Sequence, residues 1–253
     1  MELNDMKAGT PRLSRETAEM SDVIIACDFS SAEETLAFLN RFGEDRPFVK
    51  IGMELYYAAG PDIVRQLKAR GHRVFLDLKL HDIPNTVKKA MRVLSGLGAD
   101  IVNLHAAGAR AMMEAALEGL TRPDGSRPLL IAVTQLTSTD QERMEKELLI
   151  SRPLDEVVIA YAQNAAAAGL DGVVCSPLEA GKVHAACGER FLTVTPGVRF
   201  ADGEKGDQKR VTTPAQAREL GSDYIVVGRP ITAADDPVAA WDRCRREFMY
   251  ITP

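Results

Sequence analysis

The sequence offers little to hold a metal, a membrane or a nucleic acid. Its 253 residues include only four cysteines and four histidines. Cys27, Cys175, Cys187 and Cys244 show no CxxC spacing and no paired histidines, so no zinc site is expected. Cys27 and Cys175 lie in apolar runs and read as small core residues, which suits a reducing, cytoplasmic setting. No window holds eighteen uninterrupted apolar residues, which argues against a membrane-spanning helix. The net charge of −5 argues against a nucleic-acid surface. It still leaves room for an anionic small ligand held by a few local cations. Residues 1–21 are polar and lack an apolar h-region, so they read as an N-terminal extension rather than a secretory signal. Also missing is a glycine-rich turn after the first apolar run, which continues instead into Asp28-Phe29-Ser30. That disfavours an open doubly wound sheet.

What is present is a repeated alternation. Eight short, β-branched runs occur: 23–27, 47–52, 73–79, 100–104, 129–136, 171–175, 191–195 and 223–227. The segments between them read as helices. Ser31 with Glu34 makes a capping box, Pro61 suits a first helical turn, and Gly71 can close the same helix. The stretches TPAQARELG and DPVAAWDRCRREF flank the eighth run in the same way. Eight β–α units predict an α/β fold, a single-domain (β/α)8 TIM barrel over residues 22–253. The long gap at 137–156 predicts an extra loop or helix after the fifth strand.

Catalytic groups of such barrels gather at the C-terminal ends of the strands. Asp28, Lys50, Asp77, Lys79, Asp82, Thr137, Ser138, Arg199, Gly228 and Arg229 fall there. Alternation turns Lys50 away from Val49 and Ile51, and puts Asp77 and Lys79 on one face of strand three. A buried lysine keeps its proton only with carboxylates nearby. A structural ion-pair network would explain the cluster in FLDLKLHDIPNT (75–86) equally well at a generic strand. Its place at the active end of the barrel favours function. So does the cost of roughly 3–5 kcal/mol for breaking a buried pair that an apolar replacement could avoid. The turn GRPIT (228–232), with Arg199 of PGVR, suggests a phosphate site on the same face. Alone, a Gly-Arg pair is an ordinary turn with a solvated arginine. Gly228 would let a ligand approach the backbone. His81 and His105 read as hydrogen-bonded packing groups.

The segments ACDFS (26–30), VKIGMEL (49–55), FLDLKLHDIPNTV (75–87), VTQLTS (133–138), TPGVR (195–199), DQKRVTTP (207–214) and IVVGRPIT (225–232) resemble the bacterial orotidine 5′-phosphate decarboxylase family. The match spans about 22–235. The resemblance implies conversion of orotidine 5′-monophosphate to UMP and CO2 in de novo pyrimidine synthesis, without metal or organic cofactor. It implies Lys50, Asp77, Lys79 and Asp82 as an alternating charge array, with Lys79 the proton donor. Asp28 and Lys50 match ribose-side contacts, and Thr137 the position near the pyrimidine. Arg199, Gln208, Gly228 and Arg229 match the phosphate side, Gln208 lying on a closing loop, 200–208. A homodimer is implied, with Asp82 and Thr86 lent to the neighbouring site.

Two other readings remain. Barrel enzymes sharing a DxKxxD strand, such as 3-keto-L-gulonate 6-phosphate decarboxylase, are similar but use Mg2+, with a glutamate where this chain has Lys50. An ammonium there would repel the metal. A non-catalytic nucleotide sensor would not need two acids beside the substrate carboxylate.

Overall fold

The computed structural model describes residues 21–202 and 211–249. The expected extension, except Ser21, lies outside them. Eight parallel strands close a barrel in sequence order. They are β1 (Asp22–Ala26), β2 (Phe48–Gly52), β3 (Val74–Leu80), β4 (Ile101–His105), β5 (Leu129–Val133), β6 (Gly172–Val174), β7 (Leu192–Thr195) and β8 (Tyr224–Val227). Each falls within, or within one residue of, a run expected from the sequence. The fifth ends earlier than its apolar run.

The helices show where local signals held. In α1 (Ala32–Asn40) the Ser31 side chain accepts from Glu34 N at 3.2 Å. The reciprocal half of the expected capping box is absent, because the Glu34 carboxylate instead accepts from Ser30 N and Oγ. After β2 the chain forms two helices, α2 (Met53–Ala59) and α3 (Asp62–Ala69). Pro61 is the N-cap of α3 rather than part of its first turn. Gly71 follows with φ +87°, its N–H donating to Lys68 O. Next come α4 (Pro84–Ser95) and α5 (Ala109–Leu120), then the short α6 (Gln141–Lys146) in the long gap after β5. The rest are α7 (Leu154–Ala167), α8 (Pro177–Cys187), α9 (Pro214–Glu219), α10 (Arg229–Thr232) and α11 (Pro237–Met249). Thr213 and Gln216 complete a full capping box before α9.

Two apolar layers hold the barrel. Outward residues such as Val49, Ile51, Leu76 and Val102 pack beneath the helices. Inward residues, including Ile24, Phe48, Phe75, Ile101, Ile131 and Val194, fill the interior. Each fully buried large side chain contributes roughly 1.5–3 kcal/mol. The filled interior is a floor, and polar side chains of the strand ends stand above it. Among the described residues no helix is long and apolar enough to cross a membrane.

Candidate active site

Side chains of a strand return to the same face every second residue. Two steps above Phe48 is Lys50, two above Phe75 is Asp77, and two above Ile101 is Asn103. Asp28 stands two above Ala26, just past β1. The first polar layer above the apolar floor is therefore charged on one side. Three members are deeply buried, Lys50 at 8 % exposed, Asp77 at 7 % and Asn103 at 0 %, while the Asp28 side chain is exposed.

These groups are linked. Lys50 Nζ lies 2.8 Å from Asp28 Oδ1 and 3.4 Å from Asp77 Oδ2. Lys79 Nζ lies 2.7 Å from Asp77 Oδ1, which also accepts from Asn103 Nδ2 at 2.7 Å. Burial works against the charged form of Lys50, but Asp77 and Asp28 outweigh it and hold its pKa above the usual value. Burial likewise pushes Asp77 up. Lys50 and Lys79, with the hydrogen bonds from Lys79 and Asn103, overcome it and hold Asp77 below the usual carboxylate range. The row reads acid, base, acid, base, and its two inner members, Lys50 and Asp77, are held in their charged forms by their neighbours.

Simple alternation does not account for Lys79. The β3–β4 register pairs Leu76 with Val102 but Leu80 with Leu104, so β3 carries an irregularity between them. Lys79 sits in it with φ +52°. The expectation that Asp77 and Lys79 meet holds, but a bulge brings them together rather than an unbroken pleat.

Asp77 and Lys79 line a cavity of about 320 Å3 with Phe75, Gln135, Thr137 and Val226. Ser138 lines it too. Gln135 is 8 % exposed. Glycine at position 52 leaves room for the ion pair. A Cβ there would stand 3.1 Å from Asp28 Oδ1 and 3.3 Å from Lys50 Nζ, tight against the ion pair.

Arg199 follows β7, its N–H donating to Thr212 O at 3.0 Å and its Nη1 to Val198 O at 2.8 Å. Val198 and Thr212 form a parallel bridge, so the chain is joined on either side of 203–210. Gln208 and most of the expected closing loop lie outside the described residues. Gly228 caps α10, and Arg229 is its first, exposed residue. At Gly228 φ is −102°, and an added Cβ would meet only Ala26 Cβ at 3.6 Å.

Asp82 and Thr86 do not join this row. Asp82 is exposed and accepts from Ile83 N at 2.7 Å, and Thr86 is exposed in the first turn of α4. Between them Ile83 is 67 % exposed. His81 and His105 face each other, ring centroids 5.6 Å apart. The expectation that they are hydrogen-bonded is corrected: among the described residues their side chains make a ring contact instead. Burial, then the neighbouring His81 and Lys79, lowers the pKa of His105, which favours a neutral ring.

All four cysteines are free, and burial pushes Cys27 up to about 12. Among the described residues no group of three or more His, Cys, Asp or Glu side chains is placed to hold a metal ion. Sequence reasoning missed Asn103 and Gln135. A lone amide inside the apolar run DIVNL, and another inside LLIAVTQL, were the available signals.

A family model described as "Orotidine 5'-phosphate decarboxylase / HUMPS family" matches residues 21–244. The chain is 57% identical over 228 residues to "Orotidine 5'-phosphate decarboxylase" of Geobacillus sp. (strain WCH70), covering 89% of this chain and 95% of that one. It is 59% identical over 226 residues to the protein of the same name from Streptococcus thermophilus (strain ATCC BAA-491 / LMD-9), covering 89% and 96%. Among solved structures, orotidine 5'-phosphate decarboxylase from Lactobacillus acidophilus superposes with a TM-score of 0.81 at 43% identity, covering 90% of this chain and 99% of that one.

Proposed function

The chain belongs to the orotidine 5′-phosphate decarboxylase / HUMPS family, and on that premise we propose that it converts orotidine 5′-monophosphate to UMP and CO2. The observation that carries this reading is the row Asp28–Lys50–Asp77–Lys79, which opens at Lys79 onto a cavity. Its volume suits a small-molecule site.

When the bond from C6 to the carboxylate breaks, the electron pair stays on C6 in the plane of the pyrimidine, where no π system can spread it. An ammonium at C6 stabilises that charge and then gives it a proton. Lys79 has this role, and solvent restores its proton afterwards. Asp77 pairs with Lys79 and aims it, and stands beside the substrate carboxylate. Asp28 and Lys50 serve the ribose side, and Thr137 the pyrimidine. Arg199, Gln208, Gly228 and Arg229 serve the phosphate, whose binding energy helps order the site. Asp82 and Thr86 reach the site of a second copy, completing its charge array. The exposed Ile83 between them, with Tyr57 73 % exposed on the neighbouring β–α unit, supports a homodimer face. The free cysteines accord with the cytoplasm as its compartment.

The test is to mix the protein with orotidine 5′-monophosphate and follow ultraviolet absorbance as UMP forms, with and without EDTA. Equal turnover in both is expected. Turnover lost to EDTA would point to the Mg2+-dependent reading, and no turnover at all to a sensor.

A further inference from the structure

We propose that Asn103 is a positioning residue for Lys79, fixing both its main chain and its charge partner; this rests on the decarboxylase reading above. Lys79 is one of three non-glycine residues with positive φ among the described residues. That region crowds an L side chain against the backbone and persists only where the surroundings impose it. At Lys79 the imposing group is visible. The register of β3 against β4 jumps between Leu76 and Leu80, which removes Lys79 from the regular ladder. Asn103, between Val102 and Leu104 on β4, replaces the missing carbonyl: its Oδ1 accepts from Lys79 N at 2.8 Å.

The same side chain reaches the acid. Asn103 Nδ2 donates to Asp77 Oδ1 at 2.7 Å, the oxygen that also receives Lys79 Nζ at 2.7 Å. A closed ring results, running from the Lys79 main chain through the Asn103 amide and the Asp77 carboxylate to the Lys79 ammonium. Asp77 Oδ2 remains turned towards Lys50. The amide is fully buried, and only a group with one acceptor and one donor at this length closes the ring. Aspartate lacks the donor, leucine lacks both, and glutamine is one methylene longer. The charged and titratable groups around Asn103 are Asp77 and Lys79 on β3, Lys50 on β2 with Asp28 behind it, and His105 two residues along β4.

The experiment compares Asn103→Asp and Asn103→Leu with the unsubstituted protein, measuring kcat and KM for orotidine 5′-monophosphate across pH, UMP affinity, and Tm. At about pH 8 both variants should lose kcat by about 100-fold, the scale of a reacting group held slightly out of place. UMP affinity should change little. The two variants should then part. Burial and the neighbouring Asp77 raise the pKa of the carboxyl introduced by Asn103→Asp. Once protonated, that carboxyl has the donor and acceptor of the amide. Its kcat should therefore rise as pH falls towards about 5.5, while Asn103→Leu gains nothing. A purely structural role would not produce that inverted profile. If Asn103→Leu does not fold, the isosteric Asn103→Asp decides alone. Variants that keep kcat, or an Asn103→Asp profile that falls in parallel with the unsubstituted protein, overturn the inference while the decarboxylase reading stands. An unsubstituted protein inactive on the substrate overturns both.

Discussion

Lys79 Nζ lies 2.7 Å from Asp77 Oδ1, while the other Asp77 oxygen faces Lys50 at 3.4 Å. One carboxylate thus serves two ammonium groups, and the two differ in access. The Lys50 side chain is 11 % exposed and is closed off by Asp28. The Lys79 side chain is 26 % exposed and lines the cavity. Of the two, Lys79 alone lines the cavity, and its side chain is the more open to solvent.

Lys79→Ala should therefore fold and still bind UMP, yet lose decarboxylation. Calorimetric titration with UMP and an absorbance assay on the same preparation check it. A variant that keeps turning over would remove Lys79 as the proton donor.

Gly52→Ala places a methyl against the Asp28–Lys50 pair. Overpacking of this kind shifts neighbouring side chains. The expected result is a fall in kcat/KM of about tenfold or more, since misplacing a site group by about 1 Å costs up to about 100-fold. Steady-state kinetics decide it, and an unaltered kcat/KM would mean that the pair yields without consequence.

Arg229→Ala should lower kcat/KM by more than ~2 kcal/mol, the range for a lost charge-assisted contact to a phosphate. A near-normal kcat/KM would exclude Arg229 from the phosphate side.

Away from the cavity, His184 of α8 packs between Gly221 O at 3.0 Å and Asp223 Oδ2 at 3.3 Å. The hydrogen bond with Asp223 raises its pKa against the effect of burial. A histidine with a raised folded pKa contributes stability that is full below the unfolded value of about 6.5 and is lost as pH rises through the folded value. His184→Ala should thus lower Tm more at about pH 5.5 than at about pH 8.5. Thermal unfolding at both pH values tests it, and an equal or reversed difference would contradict the sign.

The strands were legible because β-branched runs recur at regular intervals, and alternation alone turned Lys50 inward from Val49 and Ile51. The meeting of Asp77 with Lys79 was anticipated, but for an incomplete reason. A register shift belongs to two strands at once, and nothing within FLDLKLHDIPNT reveals that β4 pairs Leu80 with Leu104. Asn103 went unnoticed for the same cause: its partners are 24 and 26 residues away in sequence. At Ser31 the Ser-x-x-Glu pattern was real, yet Glu34 chose the neighbouring Ser30, a choice among nearby donors that spacing cannot make. The exposed start of α4 carries Asp82 and Thr86 outside their own cavity, so their part in a site was readable only through family resemblance.

The apolar plug of Phe48, Phe75, Ile101 and Ile131 separates the two mouths of the barrel as an insulator separates two conductors. At the far mouth, Arg73 meets Asp22 and Arg127 meets Asp171, both at strand entrances. Anyone wishing to harden this protein against heat has a workbench there, with the apolar plug between the tools and Lys79.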